Sequence, residues 1–381
     1  MNIFVFNFEY PPLGGGGGVA TRDIATILAK RHEVHVITTG WKGLPAREEH
    51  GSLVIHRVSV PGRRQLPTAT ILSMALYVPV ALWKSWKIAK VNKPDVINAQ
   101  FVLPSGLPAA GLSWLVGSPL VVSLIGGDIY DPSKGVSPHR HAVLRWLVRC
   151  VCRYACARTA ISSDTRRRAV EMHGIKEPIE VVPLGLAPSQ CAVADRRELG
   201  LPADKVVFVS IGRLIARKRY EDLLEAWQAV DGACLVIIGS GQLEGEIKEK
   251  VSKLGLDSRV SLAGQVSDER KCQILNVADG YVSSAEHEGF GIVFLEAMQA
   301  GLPIVSANDG GQRDFLEEGV NALMVSPRDK HALAREINRL VENKELRGKM
   351  GVANREKVKD FYLDRTVTRL EKVLIRVAKH C

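Results

Sequence analysis

The sequence predicts an α/β protein of two doubly wound domains facing a central crevice, each a parallel sheet covered by helices on both faces. Three observations predict it. The 381 residues exceed what one ordinary hydrophobic core organises. Short uninterrupted apolar runs, the pattern of strands buried on both faces, alternate with helical stretches. That alternation lapses between Pro183 and Gly200 and then restarts.

The elements follow in order. Asn2–Phe8 reads as a strand, and the glycine run Gly14–Gly18 leads from it into a helix over Val19–Lys30. Val34–Thr38 and Leu53–Val58 are strands, and a long helix lies between Thr70 and Val91. No charge occurs from Val96 to Gly127, but its prolines and glycines break it too often for a membrane span. It reads as strand (Asp95–Ala99), helix, strand (Leu120–Leu124). Arg158–Ile161 and Ile179–Val182 close the first half. The second half gives strands at Val206–Ile211, Cys234–Ile238, Val260–Leu262, Gly280–Ser283, Pro303–Ser306 and Ala322–Val325, with a helix at Tyr220–Ala229. The tail from Lys344 is helical, and Phe361-Tyr362 marks where it crosses back onto the first domain. The expected division is 1–183, 184–360 and a returning segment, 361–381.

Composition narrows the function. Hydrophobic residues at 46% with 24% charged describe a globular chain. The start, Met1-Asn-Ile-Phe-Val-Phe, lacks a basic leader, so a cytoplasmic protein is expected. There the seven cysteines, an odd number, are expected reduced, and Cys150, Cys152 and Cys156 read as small buried hydrophobes in a helical run, Leu147–Ala160. The net charge of +10 suits nucleic acid, an anionic membrane or an anionic small substrate. No nucleic-acid-binding motif accompanies it. Trp83 and Trp86 stand among Lys84, Lys87, Lys90 and Lys93, which makes this helix a candidate for peripheral contact with an anionic bilayer on the inner face of the cytoplasmic membrane. The preferred plainer reading packs both Trp rings on the sheet.

The most specific string runs from Glu288-Gly-Phe-Gly291 through Glu296-Ala-Met298 to Gly301-Leu-Pro303. It sets one carboxylate before a glycine turn and a second inside the following helix. A helix start beside glycines offers free backbone N–H groups and a positive dipole end, where anions bind. Carboxylates there can grip sugar hydroxyls, so one site would hold a sugar, a ribose and a diphosphate. Arg213, Arg217, Lys218 and Arg219 follow the Val206–Ile211 strand, where cations can stabilise a departing diphosphate. No D-x-D metal pair occurs.

The Glu288–Glu296 string resembles the E-x7-E signature of glycosyltransferase family 4. The resemblance covers nearly the whole chain, most specifically Val206–Asp329. It implies a GT-B fold of two Rossmann-like domains and a retaining transferase that takes a hexose from a UDP- or GDP-sugar, without metal or cofactor. It places Arg213 and Lys218 on the diphosphate, Glu288 with Gly289, Phe290 and Gly291 on the donor sugar, and Glu296 on the ribose. Gly17 and Gly18 would meet the diphosphate, and Gly239 and Val266 would line the nucleotide, although Gly239 also reads as a plain loop glycine.

Departures fall on the acceptor side. Ile125 stands where the family has a histidine, and Asn98-Ala-Gln100 replaces His-Ala-His, while Asp128 is retained. Gln100 and Asp128 are therefore the acceptor-side candidates, with Asp128 also a catalytic one, and the acceptor would be a glycan or lipid-linked sugar. Two alternatives stay open: an epimerase-like enzyme on the same fold, and a non-catalytic sugar-nucleotide-binding subunit.

Overall fold

The computed structural model describes residues 1–63, 69–176 and 178–381. It divides into two compact units, residues 1–185 with 363–381, and residues 186–362.

Among the described residues, the first unit holds an eight-stranded sheet. Its strands are β1 (Asn2–Phe6), β2 (Glu33–Thr39), β3 (Arg47–His50), β4 (Leu53–Val58), β5 (Val96–Gln100), β6 (Leu120–Leu124), β7 (Ala157–Ala160) and β8 (Glu180–Val181). Their order is β3-β4-β2-β1-β5-β6-β7-β8, all parallel except β3 against β4. Helices α1 (Gly16–Leu28), α2 (Ile71–Ala89), α3 (Gly106–Val116), α4 (Ala142–Tyr154) and α5 (Ser163–His173) connect them. The period of two along β1 sorts the core. Phe4 and Phe6 pack with Tyr77, Ala81, Leu112 and Val148 of α2–α4, and Ile3 and Val5 pack with Ile24 and Leu28 of α1.

The second unit holds β9 (Val206–Ile211), β10 (Ala233–Ile238), β11 (Val260–Gly264), β12 (Gly280–Ser283), β13 (Ile304–Ala307) and β14 (Ala322–Val325). They form a parallel sheet of order β11-β10-β9-β12-β13-β14. Its helices are α6 (Tyr220–Trp227), α7 (Glu244–Lys253), α8 (Asp268–Val277), α9 (Ile292–Ala300), α10 (Lys330–Glu342) and α11 (Lys344–Lys357). The last helix, α12 (Leu363–His380), belongs to the first unit and covers the α1 face of its sheet through Val367, Leu370 and Leu374.

Strand order reverses between β1 and β5 in one unit and between β9 and β12 in the other. Such switch points open a crevice at the carboxyl ends of neighbouring strands. The glycine run follows β1, and the basic run follows β9.

Several expectations need correction. α1 starts at Gly16, inside the glycine run, and not at Val19. β3 is polar and was not expected; it pairs only along one edge, where no apolar face is required. The run Leu147–Ala160 is not one helix, because α4 ends at Tyr154 and β7 starts at Ala157. The thiols are not all free. Cys156 pairs with Cys381 and Cys191 with Cys272, partners 225 and 81 residues apart that only the fold brings together. Cys150 is exposed and Cys152 buried. Trp86 packs partly against the core, but Trp83 is 53% exposed. No described helix is long and apolar enough to cross a membrane.

Candidate functional site

At the second switch point the chain leaves β9 at Gly212 and turns through a short 3-10 segment, Ala216–Lys218. Arg219 takes the left-handed conformation (φ 52°) at the start of α6. The Ser284 hydroxyl, just past β12, is 2.9 Å from the carbonyls of both Lys218 and Arg219. The loops after β9 and β12 are thereby tied together.

That tie brings Lys218 onto Glu288. The Lys218 ammonium donates to Glu288 Oε1, and Arg217 Nη1 donates to the His287 carbonyl at 2.9 Å and to Glu288 Oε2 at 3.4 Å. Glu288 is only 6% exposed. Burial pushes its carboxyl up, but the Lys218 and Arg217 charges outweigh burial and hold it below the usual range. Glu288 is therefore an ionised carboxylate with a fixed direction. Its backbone is fixed as well, because its carbonyl accepts the Gly311 N–H at 2.7 Å. The neighbouring Gly310 has φ 123°, and a Cβ there would lie 2.1 Å from the Glu288 carbonyl oxygen. Arg213 is exposed on the same loop, with no side-chain partner among the described residues.

Helix α9 starts from Gly291 in the left-handed region (φ 86°). This conformation lets the turn Gly289-Phe290-Gly291 present backbone amides at the helix start. Phe290 is 2% exposed and its ring stacks edge-on against Phe315, so it anchors the turn between the two half-exposed glycines. One turn into α9, Glu296 Oε1 accepts from Lys271 Nζ at 2.7 Å, while Oε2 is buried with no partner. Burial raises the Glu296 carboxyl above its ordinary value, and Lys271 offsets only part of that. Lys271 carries no motif and was not anticipated. Arg217 was visible only as one of four cations.

Gly239 is more than a loop filler. A Cβ on it would lie 2.0 Å from the Gly212 carbonyl oxygen, and one on Gly241 would lie 2.4 Å from that of Leu214. The loops after β9 and β10 can meet only without side chains at these positions. Gly239 also donates to Gly264 at 2.8 Å, which leads into the half-exposed Val266.

In the first unit, the amide of Val102 donates to Asp128 Oδ2 at 2.7 Å and that of Ile125 to Oδ1 at 3.0 Å. Asp128 thus ties the strand ends of β5 and β6, and burial pushes it up to about 6 against those hydrogen bonds. Gln100 is buried and donates to Asn98 Oδ1 at 2.6 Å. Gly17 makes room for a ring: a Cβ there would fall 2.4 Å from Phe101 Cζ. Phe101 is itself left-handed (φ 74°), a strained backbone for an aromatic residue at a strand end. Gly18 is tight against the Glu9 carbonyl, 3.0 Å from a built Cβ.

Comparison with known proteins agrees with this arrangement. Residues 15–185 match the glycosyl transferase 4-like domain, and residues 193–357 match the glycosyl transferases group 1 model. The chain is a family 4 glycosyltransferase. It is an enzyme that transfers a glycosyl group from a nucleotide sugar. It is 27% identical over 365 residues to an uncharacterized glycosyltransferase of Methanocaldococcus jannaschii, covering 90% of each chain. It is 25% identical to N-acetyl-alpha-D-glucosaminyl L-malate synthase of Bacillus anthracis, over 97% of this chain and 96% of that one. Anabaena HepE, solved with UDP, superposes with a TM-score of 0.80 at 21% identity, covering 98% of this chain and 99% of its own. Two parallel-sheet units with such neighbours define the GT-B fold.

Proposed function

We propose that this glycosyltransferase moves a hexose from a UDP- or GDP-sugar to a glycan or lipid-linked acceptor, with retention at the anomeric carbon and without metal. The carrying observation is the Lys218–Glu288 pair at the β9/β12 switch point, beside the free guanidinium of Arg213. A lysine ammonium has three donors, so Lys218 can hold Glu288 and a phosphate oxygen together. Arg213 adds the second positive charge. The leaving diphosphate is then neutralised by cations already in place, the role a metal fills elsewhere. Glu288 and the amides of Gly289–Gly291 take the sugar hydroxyls, and Glu296 Oε2 takes a ribose hydroxyl. Gly239 and Val266 border the nucleotide. Gln100 and Asp128 stand on the acceptor side, where Asp128 acts by holding the strand-end loops.

In this mechanism the bond from the anomeric carbon to the phosphate oxygen breaks. A bond to the acceptor oxygen forms on the same face, and a donor phosphate oxygen takes the acceptor's proton. HepE was also solved with UDP-glucose, and a Mycobacterium tuberculosis relative is named a GDP-mannose-dependent mannosyltransferase, so both bases stay in the proposal. Peripheral contact with an anionic membrane on its cytoplasmic side completes it.

The test is donor turnover in the presence of EDTA. Lys218→Ala and Arg213→Ala should each lower kcat/KM by about 10²-fold or more, the scale of one lost transition-state charge partner. Activity within a few-fold of wild type in both variants, or activity restored only by Mn²⁺ or Mg²⁺, overturns the reading. Donor turnover without any transfer to acceptors would return the epimerase-like alternative.

A further inference from the structure

Helices α2, α3 and α4 lie side by side on one face of the first unit's sheet, as their shared core cluster records. Their inner sides are closed by Tyr77, Ala81, Leu112, Val148 and Cys152. Their outer sides are not those of ordinary surface helices. Each exposes one large indole: Trp83 on α2 at 53%, Trp114 on α3 at 75% and Trp146 on α4 at 60%. Val143 of α4 at 68% and Ile71 of α2 at 64% are exposed as well. Isolated apolar side chains on a surface need no explanation, but an exposed Trp on each of three adjacent helices does.

The charges on this layer have one sign. No Asp or Glu occurs in α2, α3 or α4, whereas Lys84, Lys87, Arg145 and Arg153 do, with Arg149 donating to the His173 carbonyl. The acids in the connecting loops are already held. Asp95 accepts from the Asn2 amide, Asp128 from two backbone amides, and Asp131 from Ser133. Lys87 Nζ stands 3.8 Å from the centre of the Trp83 ring, so indole and ammonium are presented as a unit.

We propose that the outer layer of α2, α3 and α4 docks on an anionic lipid bilayer. It deepens the membrane contact proposed above, rests on that contact alone, and is independent of the donor chemistry. The indoles enter the headgroup region, where an amphipathic ring is most stable, and the Lys and Arg heads meet the lipid phosphates. Charge complementarity selects this occupant. A second copy of the layer would set two acid-free basic surfaces against each other.

The experiment uses the full chain and vesicles of phosphatidylglycerol with phosphatidylcholine, or phosphatidylcholine alone. Wild type should float with the anionic vesicles at low salt, with a blue-shifted Trp emission, and be released by high salt. The triple variant W83A/W114A/W146A should bind at least tenfold more weakly, while donor turnover in solution stays at wild-type level. Trp114→Glu alone changes one side chain that is 75% exposed and should weaken binding in the same direction, which guards against misfolding of the triple variant. Absence of wild-type flotation on anionic vesicles, or unchanged binding by both variants, overturns the proposal. So does concentration-dependent self-association that the same substitutions abolish, which would assign the layer to a second copy. None of these outcomes touches the Lys218 test, so the two readings fail separately.

Discussion

At the scale of single residues, the site depends on which charge accompanies each carboxylate. Glu288 has two cations and sits below the usual range, while Glu296 has one, at 2.7 Å, and sits above it. Lys271 holds Glu296 Oε1 in place. On the proposed ribose role of Glu296, a ribose hydroxyl donates to an ionised carboxylate, so affinity for the nucleoside diphosphate should be full above the raised pKa of Glu296 and fall as pH drops through it. Lys271→Met removes the charge that lowers this pKa. The acid limb should then move to higher pH, and affinity at neutral pH should fall about tenfold, the scale of one charge-assisted hydrogen bond. Glu296→Gln should weaken UDP and remove the acid limb altogether. Titration calorimetry across the acid range checks both, and an unmoved limb in Lys271→Met would show that Lys271 does not set the charge. Sequence reading reached Glu288, Glu296 and Lys218 because they lie in a contiguous string or beside a strand end. Lys271 lies on a different helix, 25 residues before Glu296, and only the fold makes them neighbours.

At the scale of elements, local patterning was legible wherever burial demanded it. Leu120–Leu124, Val206–Ile211, Gly280–Ser283 and Ala322–Val325 are strands with the limits their apolar runs suggest, since parallel strands buried on both faces leave no other pattern. The start of α1 was not legible, because glycine is neutral evidence for where a helix begins. The loops after β5 and β6 were the least legible, since what holds them is a buried side chain and not a pattern. Asp128 is that side chain, and its titration gives a stability signature. Its folded pKa, about 6, is raised above the ordinary 3.8. Its contribution to stability is therefore fully present below the ordinary carboxylate value and lost as pH rises through about 6. The amount is about 3 kcal/mol by linkage, as an order of magnitude. Asp128→Asn should flatten that pH dependence. It should also cost roughly 1–3 kcal/mol through the backbone amide left facing the new NH₂ group. Thermal melts of the two proteins at several pH values would show it. Unchanged melts with lost activity would instead make Asp128 a group that acts on the substrate.

At the scale of the whole molecule, the chain closes its first unit last, with α12. The helix buries Val367, Leu370, Val373, Leu374 and Val377 on the face that α1 shares, and Glu371 accepts from His32 at 2.7 Å and Arg31 at 3.0 Å. The same helix ends at the disulfide between Cys381 and Cys156. Two different forces thus hold one helix, and their sizes differ. Burying a Val or Leu side chain is worth roughly 1.5–3 kcal/mol, so five of them outweigh the roughly 2–4 kcal/mol typical of a disulfide. Cys381→Ser, or a reductant, should lower the thermal midpoint only modestly and leave α12 resistant to limited proteolysis. Deleting residues 363–381 removes the packing as well. It uncovers Ile3, Val5, Ile24 and Leu28, and the first unit should then aggregate or fail to melt cooperatively. If Cys381→Ser already releases the helix to protease, the covalent tie rather than the apolar face keeps the first unit closed, and the order of these two forces must be reversed.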